Sequence, residues 1–314
     1  MRPDERGERR SQMAERAPTP SEELLAREQQ ESLARVERGG IPLAAERRLR
    51  ELSDGAGAFT SDLSVADFAL CHRIGLRPLS QVMGSSIYQV GYQATPWPGM
   101  AVGGGMMFEL QTLSQAWNDV RSRALARLAQ ETALVGGDAV VGVKLRSGRY
   151  DWAENAIEYA LVGTAVRSAG AGAGAQPVMT ELSVADYVKL AEAQVQPLGI
   201  VAWSSVFFVA ASYATQMLGG GLGFTRNQEL PEFTQGIYGA REAVVSRMTA
   251  QAASLDASGV IGVRIDHTIQ PISLGGGRYE RGGLMVAFHA IGTAIREPAG
   301  VAVAAPKTIV DLTA

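Results

Sequence analysis

Asp62–Ser86 reads DLSVADFALCHRIGLRPLSQVMGSS, and Glu181–Ser205 reads ELSVADYVKLAEAQVQPLGIVAWSS. Aligned without a gap, Leu63-Ser64-Val65-Ala66-Asp67 matches Leu182-Ser183-Val184-Ala185-Asp186. Pro78-Leu79 matches Pro197-Leu198, and Ser85-Ser86 matches Ser204-Ser205. Further along, VVGV (Val140–Val143) returns as VIGV (Val260–Val263), and VGTAVR (Val162–Arg167) returns as IGTAIR (Ile291–Arg296). The same motifs in the same order mean a tandem duplication of a unit of ordinary domain size.

Each copy opens with a helix start. Ser64 and Ser183 are short oxygen acceptors at an N-cap, with Asp67 and Asp186 three residues on, as in a capping box. Pro78 and Pro197 cannot continue those helices, so the first should end near Gly75. The runs that follow, Gln81–Tyr92 and Val201–Tyr213, read as strands, the second dominated by aromatic and β-branched residues. A glycine-rich loop comes next in both copies, and then a long helix. In the first copy Leu113, Trp117, Val120, Ala124, Leu128 and Val135 recur near 3.6-residue spacing. In the second, Ile237, Val244, Met248 and Leu255 trace the matching stripe, and Arg121 and Arg127 align with Arg241 and Arg247. Two further strands finish each copy.

The class is therefore α+β: two tandem β-α-β-β domains, each an antiparallel three-stranded sheet with one helix, preceded by a helical N-terminal arm. A right-handed crossover makes the first two strands parallel, with the third between them and antiparallel to both. We divide the chain into an arm at 1–57, a first domain at 58–168, a Gly/Ala linker at 169–178, a second domain at 179–297 and a tail at 298–314. Runs such as VFFVAA and LMVAFHAIG are apolar on both strand faces, and one helix cannot roof two faces. Neighbouring domains must supply the rest, so the expectation is a self-assembling homo-oligomer closed into a ring.

In the arm, SEELLAREQQESLARVER stops at Gly39-Gly40 and PLAAERRLREL follows, which predicts a helical hairpin. Arg and Asp/Glu nearly balance there, so it reads as a solvated arm or an element that docks a protein partner. The tail turns apolar at TIVDL and offers a second docking segment.

The 314 residues carry a net charge of −3, 46% hydrophobic and 19% charged residues, and one cysteine, Cys71. That charge gives no reason to expect nucleic acid, and the lone cysteine suits a reducing cytoplasm. No apolar segment follows the charged start, so no secretory leader is expected. The uncharged GIVAWSSVFFVAASYATQML is long enough to span a bilayer. Its counterpart in the first copy carries Gln81, Gln89, Gln93, Pro96 and Pro98, so both are expected to be a buried strand and loop.

The chemistry on offer is sparse. Gly103–Gly105, Gly219–Gly221 and Gly275–Gly277 match no phosphate-binding loop. GxSxG and HExxH are absent, and Ser85-Ser86 and Ser204-Ser205 lack an identifiable base. The expectation is not an enzyme, and no cofactor. A pocket joining Glu158, Asp266 or Glu280 to a histidine would count the other way. Trp97, Met100, Met106 and Met107 suit an adaptable contact surface, as Phe207 and Phe208 suit a strand buried against a neighbour.

GxDAVVGV after an Ala-rich helix, then a strand ending GTAV, resembles the YbjQ family, bacterial domains labelled for heavy-metal binding. The matching residues are Gly136–Val143 with Gly163–Val166 and, more loosely, Ser258–Val263 with Gly292–Ile295. The resemblance implies dodecin-like subunits assembled as a pentamer, and a metal function. A two-copy chain then makes five chains and ten domains. For a metal ion the residues supply His267 and His289 on successive strands, with Glu280 nearby. Cys71-His72 has only Leu190-Ala191 as its second-copy counterpart and is not a shared feature.

Overall fold

The computed structural model describes residues 20–91, 107–149, 156–168, 176–211, 229–274 and 281–298. Contacts divide the chain into Met1–Gly57 and Ala58–Ala314. The first unit holds helices α1 (Pro20–Glu37) and α2 (Leu43–Ser53). Gly39, at φ 89°, makes the turn between them. The hairpin is tied by Arg35 to Glu46 and by Arg47 to Glu28 at 3.0 Å, while the Leu43 amide donates to Ser32 Oγ. Leu49 is buried, and Leu24, Leu25 and Leu33 of α1 are exposed.

In the second unit the first copy runs α3 (Val65–Ile74), β1 (Leu76–Gln89), β2 (Met107–Glu109), α4 (Gln111–Leu134), β3 (Ala139–Arg149) and β4 (Ala156–Ser168). The second runs β5 (Val178–Met179), α5 (Val184–Glu192), β6 (Gln196–Ala210), α6 (Pro231–Ala253), β7 (Gly259–Leu274) and β8 (Arg281–Arg296). The caps form as read: Ser64 Oγ accepts from the Asp67 amide and Ser183 Oγ from the Asp186 amide, both at 3.1 Å. Gly75 ends α3 in the left-handed region at φ 72°.

The long strands order as β1-β4-β3 and β6-β8-β7, with the last strand of each copy in the middle and antiparallel to both neighbours. The sheets differ from the expected three strands because each carries a fourth. β2, from the first copy, pairs antiparallel with β6. β5, at the entry to the second copy, pairs parallel with β3. An edge strand leaves a row of unpaired amides and carbonyls, and each copy covers one such row on the other. Val178, placed at the end of the linker by sequence, thus belongs to a strand with Met179.

Gly142 and Gly262, the glycines of VVGV and VIGV, sit at φ 64° where β3 and β7 slip register against their neighbours. Only glycine adopts that conformation at little cost, which explains the repeated motif. One face of each sheet packs its long helix. Ala240, Val244 and Met248 of α6 meet Val201, Phe207, Val209, Val286 and Phe288 in one buried cluster. A second cluster joins Cys71, Leu76, Ala139, Val141 and Val166 of the first copy to Val184 and Val188 of the second. The uncharged stretch that imitates a membrane helix forms β6 as far as Ala210, and no described helix is long and apolar enough to cross a membrane.

Candidate functional site at the seam between the two copies

The seam is built by α4 lying along the open edge of β6. Past the three residues paired with β2, side chains replace a partner strand. Ser114 Oγ accepts from the Val206 amide at 2.8 Å, and the Leu110 amide donates to the Val206 carbonyl at 2.7 Å. Asn118 Nδ2 donates to the Ser204 carbonyl at 2.8 Å while its Oδ1 accepts from the Ser204 amide at 3.1 Å. A side-chain amide presents the same donor and acceptor as a backbone peptide. Four residues of helix rise about 6 Å and two residues of strand about 6.6 Å. Positions 114 and 118 therefore fall in step with 206 and 204. Further along, Gln251 Oε1 of α6 accepts from the Ala202 amide at 3.0 Å.

Charge reinforces the seam. Arg247 of α6 grips Glu109 of β2 with both guanidinium nitrogens, at 2.5 and 2.6 Å, and also donates to Ser205 Oγ at 3.0 Å. Burial pushes the Glu109 carboxyl up, but Arg247, Ser114 and Ser205 together outweigh it and hold it below its ordinary value. Arg121, buried in α4, donates to Asn118 Oδ1 at 2.6 Å, and burial lowers its pKa. The Trp203 ring lies within reach of two cations, Arg121 at 5.8 Å and Arg247 at 5.7 Å. Burial also drives the Tyr159 hydroxyl well above its usual range, with nearby Arg121 partly opposing it.

On the far side the Gly142 amide donates to the Leu182 carbonyl at 2.8 Å and the Val143 amide to the Thr180 carbonyl at 3.1 Å. Arg264 pairs with Glu181 at 2.9 Å, as Lys144 pairs with Asp62 at 2.9 Å in the first copy. Glu181 Oε1 is buried without a hydrogen-bond partner, and burial raises this carboxyl despite Arg264.

Where Trp117 and the end of β3 face the second sheet there is a cleft of about 390 Å³. Its walls include Trp117, Ser147, Asp266, Thr268, Met285 and His289. The cross-strand register places Ser204, His289 and Asp266 in one row on one sheet face. His289 Nδ1 and Ser204 Oγ share a hydrogen bond of 2.9 Å, and the Trp117 ring meets the imidazole edge-on at 4.7 Å. The order Ser-His-Asp suggests acyl transfer, but Ser204 is buried and does not line the cleft, and its backbone is taken by Asn118. What the cleft offers a ligand is an imidazole, a carboxylate and an indole edge.

The two histidines read as a metal pair are not brought together. His267 is opposite Phe288 and stacks on it at 5.5 Å, while His289 is opposite Asp266. Adjacent residues alternate faces, so the imidazoles point to opposite sides of the sheet. Among the described residues no three His, Cys, Asp or Glu side chains gather as metal ligands. Burial and Asp67 push the Cys71 thiol up, away from a ligating thiolate. The described residues do not fit a three- or four-ligand metal centre of their own.

Phe207 and Phe208, read as partner contacts, are buried within the chain and paired with Glu109 and Phe108. Met107 packs over Gly239 of α6. Trp97, Met100, Met106, Glu280, the glycine triplets and the TIVDL tail lie outside the described residues. Ser114, Asn118 and Glu109 escaped the sequence reading. The available signal was a polar pair four apart beside Trp117, on a helix face that also carries Arg121.

Comparison with known proteins agrees with a tandem of two related domains. The family model of YbjQ domains, described as "Putative heavy-metal-binding", matches residues 100–169 and 189–296. The "Encapsulin nanocompartment protein Rv1762c" of Mycobacterium tuberculosis is 36% identical over 260 residues, 81% of this chain and 90% of that protein. No solved structure matches the chain. With both copies matched in tandem, the chain belongs to the YbjQ family.

Proposed function

We propose that this protein is a non-enzymatic, cytoplasmic, self-assembling scaffold whose two YbjQ-like domains join with those of other chains in a ring of five. The observation that carries the reading is the strand exchange at the seam: each copy completes the other's sheet, so covering sheet edges with a neighbour is how this fold is satisfied. The relative's name places that protein with a nanocompartment, and we extend the setting to this chain as an assembly component. The exposed leucines of α1 give the arm an apolar strip for docking a protein partner.

Mass photometry of the purified chain at micromolar concentration tests the ring. Five chains of 33.2 kDa weigh about 166 kDa, and a lone 33.2 kDa species would sink the proposal. For the setting, a tagged chain should sediment from its native cells with shell-like particles visible by negative stain. Recovery only as a free oligomer would remove it.

The cleft favours a second reading, a small-ligand or metal-ion binder working at domain interfaces, because it sets His289 and Asp266 of the second copy against Trp117 and Ser147 of the first. Calorimetric titration with zinc should then show saturable binding that His289→Ala abolishes. No heat, or equal heat from the variant, removes this reading.

A further inference from the structure

The internal seam has two unlike sides. The first copy contributes α4 and the edges of β2 and β3; the second contributes the β6 edge, β5 and α5. Each copy also carries the side that the other used, and among the described residues those sides meet no partner copy. The alignment shows what this does to matched residues. Val184 of α5 is 1% exposed, and its counterpart Val65 of α3 is 87% exposed. Val206 on the β6 edge is 0% exposed, and its counterpart Ile87 on β1 is 55% exposed. Val143 of β3 is 1% exposed against 41% for Val263 of β7. Ala202 is buried where Met83 is exposed, Arg121 is buried where Arg241 is exposed, and Tyr238 stands exposed on α6 at the position of Asn118.

Single exposed apolar residues are ordinary on protein surfaces. Here they coincide with positions that the internal seam buries, and they fall into two sets. Val65, Met83 and Ile87 belong to the receiving side of the first copy. Tyr238 and Val263 belong to the contributing side of the second copy.

We propose that these two surfaces are the halves of one interface, through which the second copy of one chain docks on the first copy of the next and repeats the internal seam between identical chains. In that contact α6 lies along the outer β1 edge, where α4 of the same chain already meets the Met83 amide through Glu131 and the Ser85 carbonyl through Arg127. Thr234 and Tyr238, four apart like Ser114 and Asn118, face the Ile87 and Ser85 backbones. The contact is head-to-tail, because the two surfaces differ, and a head-to-tail contact builds a ring when its rotation closes, not a symmetric pair. This inference rests on the ring reading and adds the partner surface and its register to it.

Two variants test it. Val65→Glu puts a carboxylate in the first turn of α3, where the helix end favours it and an isolated chain leaves it in water. Docking would bury it unpaired. Tyr238→Glu places a good helix former on the exposed face of α6. Each variant should keep the wild-type far-ultraviolet dichroism and fall from the wild-type oligomer to 33.2 kDa. Mixed one to one, they should form a species of about 66 kDa, twice the chain mass of 33.2 kDa, since each supplies the surface that the other lacks. A wild-type oligomer that both variants leave intact overturns the interface and leaves the ring standing. Two monomeric variants that do not pair when mixed also overturn it. A monomeric wild type removes the ring reading and this inference together.

Discussion

At one aligned position the two copies make opposite choices: Gly84 in β1 and Trp203 in β6. A Cβ on Gly84 would lie 1.9 Å from the Ala124 carbonyl oxygen and 2.7 Å from the Leu128 amide nitrogen, so α4 rides directly on its strand. In the second copy an indole fills that place, packed against the α6 core and approached by Arg121 from the first copy and Arg247 from its own. The aligned arginines diverge accordingly. Arg127 donates to the Ser85 carbonyl of its own strand, whereas Arg247 turns to Glu109 of the other copy. A duplicated fold has thus specialised. The first copy packs its helix close and lends its flank, and the second opens space for a cation-flanked ring and receives that flank.

The comparison can be broken most sharply at its glycine. Gly84→Ala forces Cβ into helix backbone that cannot step aside, and we expect a loss of about 3 kcal/mol or more in urea unfolding. A loss below about 1 kcal/mol would mean that α4 does not sit as close as drawn. Asn118→Ala comes next. It strips the Ser204 amide and carbonyl of their partners, and a loss of about 2 kcal/mol is expected from buried groups left unmade. A variant as stable as wild type would show that water replaces the side chain freely.

The smallest effects come from the two seam carboxylates, and they differ in sign. Glu109 is held below its ordinary value of 4.5. Its stabilisation is therefore present above that pH and lost as pH falls through the folded value. Glu109→Gln should flatten the acid limb of a stability-against-pH curve. Glu181 is raised above 4.5, so its favourable contribution exists below that pH and disappears as pH rises through the folded value. Glu181→Gln should be neutral or more stable than wild type near pH 7, by up to roughly 1 kcal/mol, with the gain fading in acid. Parallel curves for both variants would contradict the opposite shifts.

Much of this architecture is legible in the sequence. Two SVAD motifs announced two capped helices, the spacing from Leu113 to Leu128 gave α4, and the crossover argument gave the middle position of β4 and β8. The exchanged strands were not legible, because two or three residues are too few to carry a period. The relation of His267 to His289 was not legible either. Facing depends on cross-strand register, and a slip between Ile261 and Arg264 resets the pairing ahead of both. Nor did Asn118 announce itself, since a polar residue on a helix stripe reads as surface until something lies beside it.

The reciprocal lending of β2 and β5 has a consequence for how the halves can behave. Swapped elements between separate molecules can be returned when the complex dissociates. Here donor and recipient share one polypeptide, so a hinge opening would tear both pairings at once, and neither half excised alone would inherit a finished sheet.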